Sequence, residues 1–301
     1  MFKKNEHHNC FIKFFIAIVC SLTQFQCANF LEPMSVKDTN EAYLYSARKK
    51  IDTGDYLEAI SDLSELDADF AADNNVRVTY ASAYAGACGM EFIPFFSSIS
   101  SANITPPNTF FKFLRSSFTD KATTPNYCTL AEAKLKEIGA TEALRLAAMG
   151  GSKEVNMLMA ILAMAKMGSI LRTTSDVDGT NSLGDGNTDA SFNACTNDDS
   201  NITDDEIVEL ATGFGLFFEN FTSLLGSGSN AETALTAISV VLNAICDITP
   251  AANCVVLDTS NIAPADNAEL VDTYRDLLST DTVGIGSCDF PGHPDLDTCC
   301  P

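Results

Sequence analysis

Tryptophan is absent from this chain and histidine nearly so: His7 and His8 sit near the start and His293 near the end. That scarcity excludes most histidine chemistry. No His-x-x-x-His zinc motif can be assembled, and no Ser–His or Cys–His network with a placed base. Cys-x-x-Cys, the P-loop, the dinucleotide fingerprint and the Gly-x-Ser-x-Gly elbow are also missing. Positive charge is scarce: 18 Lys and Arg stand against 40 Asp and Glu, a formal net charge of −22. So acidic a chain repels nucleic acid and anionic surfaces, and no nucleic-acid partner is expected. Adjacent carboxylates such as Asp198/Asp199 and Asp204/Asp205 follow from composition, and several fall at helix starts, where the dipole favours them. No catalytic residues are assigned and the chain is read as non-enzymatic. A carboxylate-only hydrolase is the least favoured alternative.

Apolar runs near the N-terminus are short. Residues 14–22 form a nine-residue stretch behind Lys3, Lys4 and Lys13. That is a signal core rather than the ~20 residues of a bilayer-spanning helix. Residues 1–26 are therefore expected to be a signal peptide and 27–38 a tether. Of the eleven cysteines, Cys10 and Cys20 lie in the leader and Cys27 directly follows it. The other eight are Cys88, Cys128, Cys195, Cys246, Cys254, Cys288, Cys299 and Cys300. An even remainder suits a disulfide framework in an oxidising compartment, and it stays even if Cys27 carries a lipid. Gln24-Phe25-Gln26 is a poor lipoprotein cleavage signal, so a soluble periplasmic or secreted form is the alternative. Cys246 with Cys254 is the first expected pair, across a turn at Thr249-Pro250, and Cys88 with Cys128 the second.

The body reads as all-α. Ala42, Tyr45, Ala47 and Ile51 recur at helical spacing up to Gly54. Asp55 and Glu58 make a capping box for a second helix with Tyr56, Ala59, Ile60, Leu63 and Leu66 on one face. After a polar break at 67–75, Val76, Tyr80, Ala83, Tyr84 and Ala87 form a third stripe. These residues resemble the tetratricopeptide repeat: Gly54-Asp55-Tyr56-Leu57-Glu58-Ala59-Ile60, then Leu66-Asp67, then Tyr80 to Gly86. The likeness covers about residues 40–89, one and a half units of ~34 residues, with no further copy downstream. It implies a helical-hairpin lobe that leans on the rest of the chain and binds protein partners. More loosely, the chain resembles helical envelope lipoproteins of Gram-negative bacteria, which implies an outer-membrane or periplasmic setting.

Downstream, Phe92, Phe95, Phe96, Phe110, Phe111, Phe113 and Phe118 are expected in short core helices. Thr129 and Glu132 form a capping box for a helix to about Ile138. Residues 153–172 are apolar nearly all round, the mark of a central buried helix. Asn156 and Lys166 argue against a membrane span there. The polar, Gly-rich stretch 173–201 divides a lobe at 39–172 from a second helical lobe at 202–283. Capping boxes at Thr203/Glu206, Ser229/Glu232 and Asp266/Glu269 open that lobe's helices. Residues 284–301 are an irregular Cys-rich tail.

Within the dividing loop, Asp176, Asp178, Asp185 and Asp189 alternate with Gly179, Gly184 and Gly186. Such spacing points carboxylates to one side of an extended loop, as a hard cation requires. In an EF-hand register Thr174 would take position 1 and Asp185 position 12, both departures from the pattern. Weak Ca2+ binding is expected, with no cofactor required. The sequence thus predicts a non-enzymatic, lipid-anchored scaffold or adaptor of the bacterial envelope, held to the membrane by its N-terminal lipid alone. The alternative is a ligand-binding protein with an apolar or cationic small molecule between its two lobes.

Overall fold

The computed structural model describes residues 38–91, 110–118, 122–178, 183–198, 200–224, 256–258, 264–281, 284–286, 288 and 299–300. Cys27, Cys246, Cys254, the leader and the helix expected at 229–248 lie outside these. The described residues form helices α1 (Asn40–Thr53), α2 (Tyr56–Ser64), α3 (Ala68–Ala71), α4 (Asn74–Ala87), α5 (Phe110–Ser116), α6 (Pro125–Lys136), α7 (Glu142–Ala148), α8 (Glu154–Ser175), α9 (Asp204–Leu224) and α10 (Pro264–Ser279). Among them there is no strand, only a single bridge between Thr280 and Cys288. The all-α class is as expected.

Local chemistry explains the N-terminal hairpin. Thr39 caps α1 by accepting the Ala42 N–H at 3.2 Å. Gly54 ends it with φ 85°, donating back to the Ile51 carbonyl, while Asp55 donates to Lys50. That left-handed cap is open to glycine and costly for residues with a Cβ. α2 follows at once, but Asp55 makes no side-chain cap bond. Its carboxylate takes the Thr53 hydroxyl instead, so the expected box at Asp55/Glu58 is not formed. α4 packs across the pair, with the Tyr80 hydroxyl donating to the Leu63 carbonyl. A small core of Ala47, Ala59, Leu63, Leu66, Val76 and Ala83 holds these helices together. Tyr45, expected on the inner stripe, is 72% exposed. Tyr43, Leu44 and Ile51 share the inward face with Ala47, so the true stripe is rotated by one to two residues.

α8 is the central element. It is buried along nearly its whole length and packs against α5, α6, α7 and α9. It is the one described helix long and apolar enough to cross a membrane, yet 83% of its most apolar window is buried inside the protein. The main core runs without interruption from Ala81 to Ile285 and includes residues on both sides of the 173–201 stretch. The helices flanking that stretch, α8 and α9, pack directly on each other, so the two segments that the sequence separated share one core. Phe110, Phe111, Phe214, Phe217 and Tyr274 form one aromatic cluster inside it. Phe110, Phe111 and Phe118 are thus core residues, as expected; Phe92, Phe95 and Phe96 lie outside the described residues.

Two expected caps met different fates. At α9 the box is complete: Thr203 N–H donates to Glu206 Oε2 at 2.9 Å and Glu206 N–H to Thr203 Oγ1 at 3.3 Å. At α6 the expectation was wrong. The helix begins a turn earlier, with Pro125 in its first turn, where a missing N–H costs nothing. Thr129 and Glu132 are interior residues that face α8 and α9 instead.

Among the described residues three disulfides form: Cys88–Cys128, Cys195–Cys300 and Cys288–Cys299. The first ties α4 to α6, as expected. Of the other two, Cys195–Cys300 joins the loop before α9 to the tail and Cys288–Cys299 closes the tail on itself, while backbone hydrogen bonds such as Cys288 N–H to the Ser279 carbonyl hold the tail against the end of α10. Removing Cys88–Cys128 reopens a 40-residue loop, and the chain-entropy cost of that opening is about 4 kcal/mol. The double variant Cys88→Ala, Cys128→Ala should therefore unfold at a clearly lower urea midpoint than wild type, measured by circular dichroism.

Candidate functional site

The predicted calcium loop leaves the C-terminus of α8. Thr174, placed at the first EF-hand position by sequence, is still in the helix, its hydroxyl bonded to the Ile170 carbonyl at 2.9 Å. An EF-hand register therefore does not form. Asp176, Asp178 and Asp189 do converge: each offers a carboxylate oxygen, all within 4.8 Å of one another. Asp185 lies outside this group and caps its own turn, accepting the Asn187 N–H at 2.8 Å, the main reason its carboxyl lies below the ordinary range. Asp176 is fully buried and receives the N–H groups of Asp185 at 2.8 Å and Gly186 at 3.0 Å. Gly184 permits this: its φ is 77°, and a Cβ there would fall 2.6 Å from the Asp176 carboxyl carbon. Arg115, buried under the loop, donates to the Gly186 carbonyl at 2.7 Å and to the Thr188 hydroxyl. Partial desolvation and the facing Asp189 and Asp185 carboxylates push Asp178 above the usual carboxylate range. The loop is a crowded anionic turn with two buried guanidinium groups against it, Arg115 and Arg172, the latter donating to the Leu183 carbonyl at 3.1 Å.

A second constellation went unrecognised in the sequence. Lys166, in the middle of α8, has no exposed side-chain surface, and all three ammonium hydrogens are placed. They go to Glu132 Oε2 on α6 at 2.8 Å, Glu209 Oε2 on α9 at 2.9 Å and Thr212 Oγ1 at 2.8 Å. Thr129 donates to the same Glu209 oxygen at 3.2 Å. Burial alone would depress this lysine, but the two carboxylates outweigh it and hold the ammonium above its ordinary value. Burial raises Glu209, yet Lys166 and Thr129 bring its net pKa below the usual range. Glu132 Oε1 is buried and has no hydrogen-bond partner. Beside it opens a cavity of about 230 Å3. Its walls include Glu132, Ala133 and Lys136 of α6, with Glu209 and Thr212 of α9 and Asp258 opposite. The signal for this site was present as Lys166 in an otherwise apolar helix, but its partners are 34 and 43 residues away.

Asn156, another buried polar residue of α8, accepts from the Arg145 Nε at 2.9 Å. Arg145 is fully buried and also reaches Gly139 O, Glu219 Oε2 and Asn220 Oδ1 at 2.8 to 3.0 Å. This network is saturated and borders no cavity described here. The Ser279 hydroxyl lies against the Cys195–Cys300 disulfide, 3.2 Å from Cys195 Sγ and 3.1 Å from Cys300 Sγ.

No family model, no curated protein and no solved structure matches the chain. The tetratricopeptide resemblance thus rests on the residues between 40 and 89 alone.

Removing Lys166 strands two carboxylates beside one another, one of them buried. Lys166→Met should cost about 3–5 kcal/mol in urea unfolding, and adding Glu132→Leu should restore part of it, because Glu209 still reaches water. The lysine has a raised pKa when folded, so its contribution is complete below about pH 10.5 and is lost as pH rises past its folded value. Glu209 has a depressed one, so its contribution holds above about pH 4.5 and is lost as pH falls. The stability gap between wild type and Lys166→Met should shrink above the upper limit, and on the acid side it should begin to shrink above the lower one, because the carboxylates stranded in the variant take up protons more readily.

Proposed function

We propose that this protein is a non-enzymatic scaffold or adaptor of the bacterial cell envelope, exported behind residues 1–26, anchored through a lipid on Cys27, and binding protein partners through its N-terminal helical hairpin. The observation that carries the reading is the placement of that hairpin. α1 packs on α2 and α4 and on no other described helix to a comparable degree. It belongs to its own small core, separate from the main one. Outer helices of stacked hairpins use their uncovered face for the next element or for a partner. Here that unit displays Tyr45 at 72% exposure, a residue type enriched among the anchors of protein contacts, together with an apolar Leu57 at 61%. The three disulfides support an oxidising compartment.

Two measurements test this. Photo-crosslinking residues at positions 45 and 57 should give a protein adduct in intact envelopes, whereas the equally exposed Leu144 on α7 should not. Adducts from none of these positions, or equal adducts from all three, would remove the hairpin as a docking surface. Cys27→Ser should move the protein from the membrane to the soluble fraction and abolish labelling by a fatty-acid probe; unchanged partition without labelling would sink the anchor.

We also propose that Asp176, Asp178 and Asp189 hold Ca2+ weakly. The mutual repulsion that raises Asp178 supports this, as does the buried Asp189 Oδ1, which has no hydrogen-bond partner. Arg115 already supplies one positive charge, which keeps affinity low. At ~100-fold excess of free ion over its Kd the gain is about 2.7 kcal/mol. Thermal melts should rise with calcium over chelator in wild type and not in Asp176→Asn, Asp178→Asn; identical wild-type melts would dismiss the metal.

A further inference from the structure

We infer that the cavity between α6 and α9 is a binding site for a small organic cation that carries N–H donors, a guanidinium or a primary ammonium. Lys166 is itself spent as a donor. Its three hydrogens are committed to Glu132 Oε2, Glu209 Oε2 and Thr212 Oγ1, so it has no donor left for an anion. Each carboxylate turns one oxygen toward the lysine and leaves the other. Glu132 is 2% exposed, and its remaining Oε1 is buried with no partner. A buried carboxylate oxygen without a donor is destabilising, and this one belongs to a side chain that lines the cavity.

Charge points the same way. The walls and floor bring together Glu132, Glu209 and Asp258 against Lys136 and Lys166, an excess of one negative charge. A single monocation neutralises it. A divalent ion fits worse, because it would overcompensate that charge beside the Lys166 ammonium. Size agrees: about 230 Å3 is far more than one water needs. The cavity also draws its walls from segments on both sides of the 173–201 stretch, so ligand binding would brace α6 against α9. This site stands independently of the hairpin docking surface.

The test uses the whole chain and ligand-observed NMR with methylguanidinium, tetramethylammonium and acetate. Methylguanidinium should bind, while tetramethylammonium, of equal charge but without N–H donors, and acetate should not. Ala133→Phe fills the cavity from an exposed helix position without touching the ion pair. It should melt as wild type does and bind at least about ten-fold more weakly, the loss of one charge-assisted contact. Glu132→Gln, which replaces the orphan acceptor, should weaken binding as well if it folds. N-acetylarginine amide separates two sources of the same chemistry: if it binds as well as methylguanidinium, the natural occupant is a partner's arginine side chain, and if it is excluded, a free small cation. Either outcome keeps the cationic site. Wild type that binds no methylguanidinium at about 10 mM leaves the cavity to water and overturns the proposal. Equal binding of tetramethylammonium, or unchanged binding in a folded Ala133→Phe, overturns it too.

Discussion

The Lys166 ammonium, sealed in the middle of the most apolar helix, is the constraint around which the main core is arranged. Burying a charge there is tolerable only if α6 and α9 each deliver a carboxylate at hydrogen-bond distance. α8 can slide or rotate against neither neighbour without stranding that charge. Apolar contacts supply most of the cohesion between these helices, but Leu, Ala and Met surfaces repack easily. The ion pairs fix which residues face which. The same device recurs. Arg145 joins α7 to α8 and α9, Arg275 joins α10 to the Ala194 and Ile202 carbonyls and to Asp204, and Arg115 holds the loop after α8. A chain with 18 cations among 40 acids places several of them inside, where each meets acceptors from more than one element.

The disulfides do a different job. Cys88–Cys128 sits where the hairpin lobe meets the main core, the border between the two apolar clusters. Cys195–Cys300 and Cys288–Cys299 tie together segments that have little regular structure, the loop before α9 and the tail. They constrain parts that the helix packing reaches least, and so complement the buried ion pairs.

Much of this was legible in the sequence, and the limits have physical causes. Periodicity places α1, α2, α4, α8 and α9, because amphipathic or fully apolar helices carry their burial pattern in their own residues. The Thr203/Glu206 box is local, and it forms as read. Thr129 and Glu132 have the same spacing, yet their hydroxyl and carboxylate serve partners on other helices. Sequence spacing cannot distinguish a cap from a tertiary ligand. Tyr45 misleads for a related reason: a tyrosine at helical spacing suits either face, and here the smaller Ala47 and its neighbours take the interior. Asp176, Asp178 and Asp189 converge because the alternation is local, while Asp185 turns away to cap its own turn. The Lys166 cluster and its cavity depend on contacts 34 to 46 residues apart in the chain, and nothing in the local pattern could supply them.

If α6, α8 and α9 form one cooperative unit closed on Lys166, native-state hydrogen exchange should reveal it, since it reports the opening free energy of each helix separately. Core amides of these three helices should share one opening free energy, α1 and α2 should open at a lower one, and Lys166→Met should lower the shared value in all three helices together. If α8 retained its protection in that variant while α6 or α9 opened alone, the buried lysine would not be what holds them as one unit.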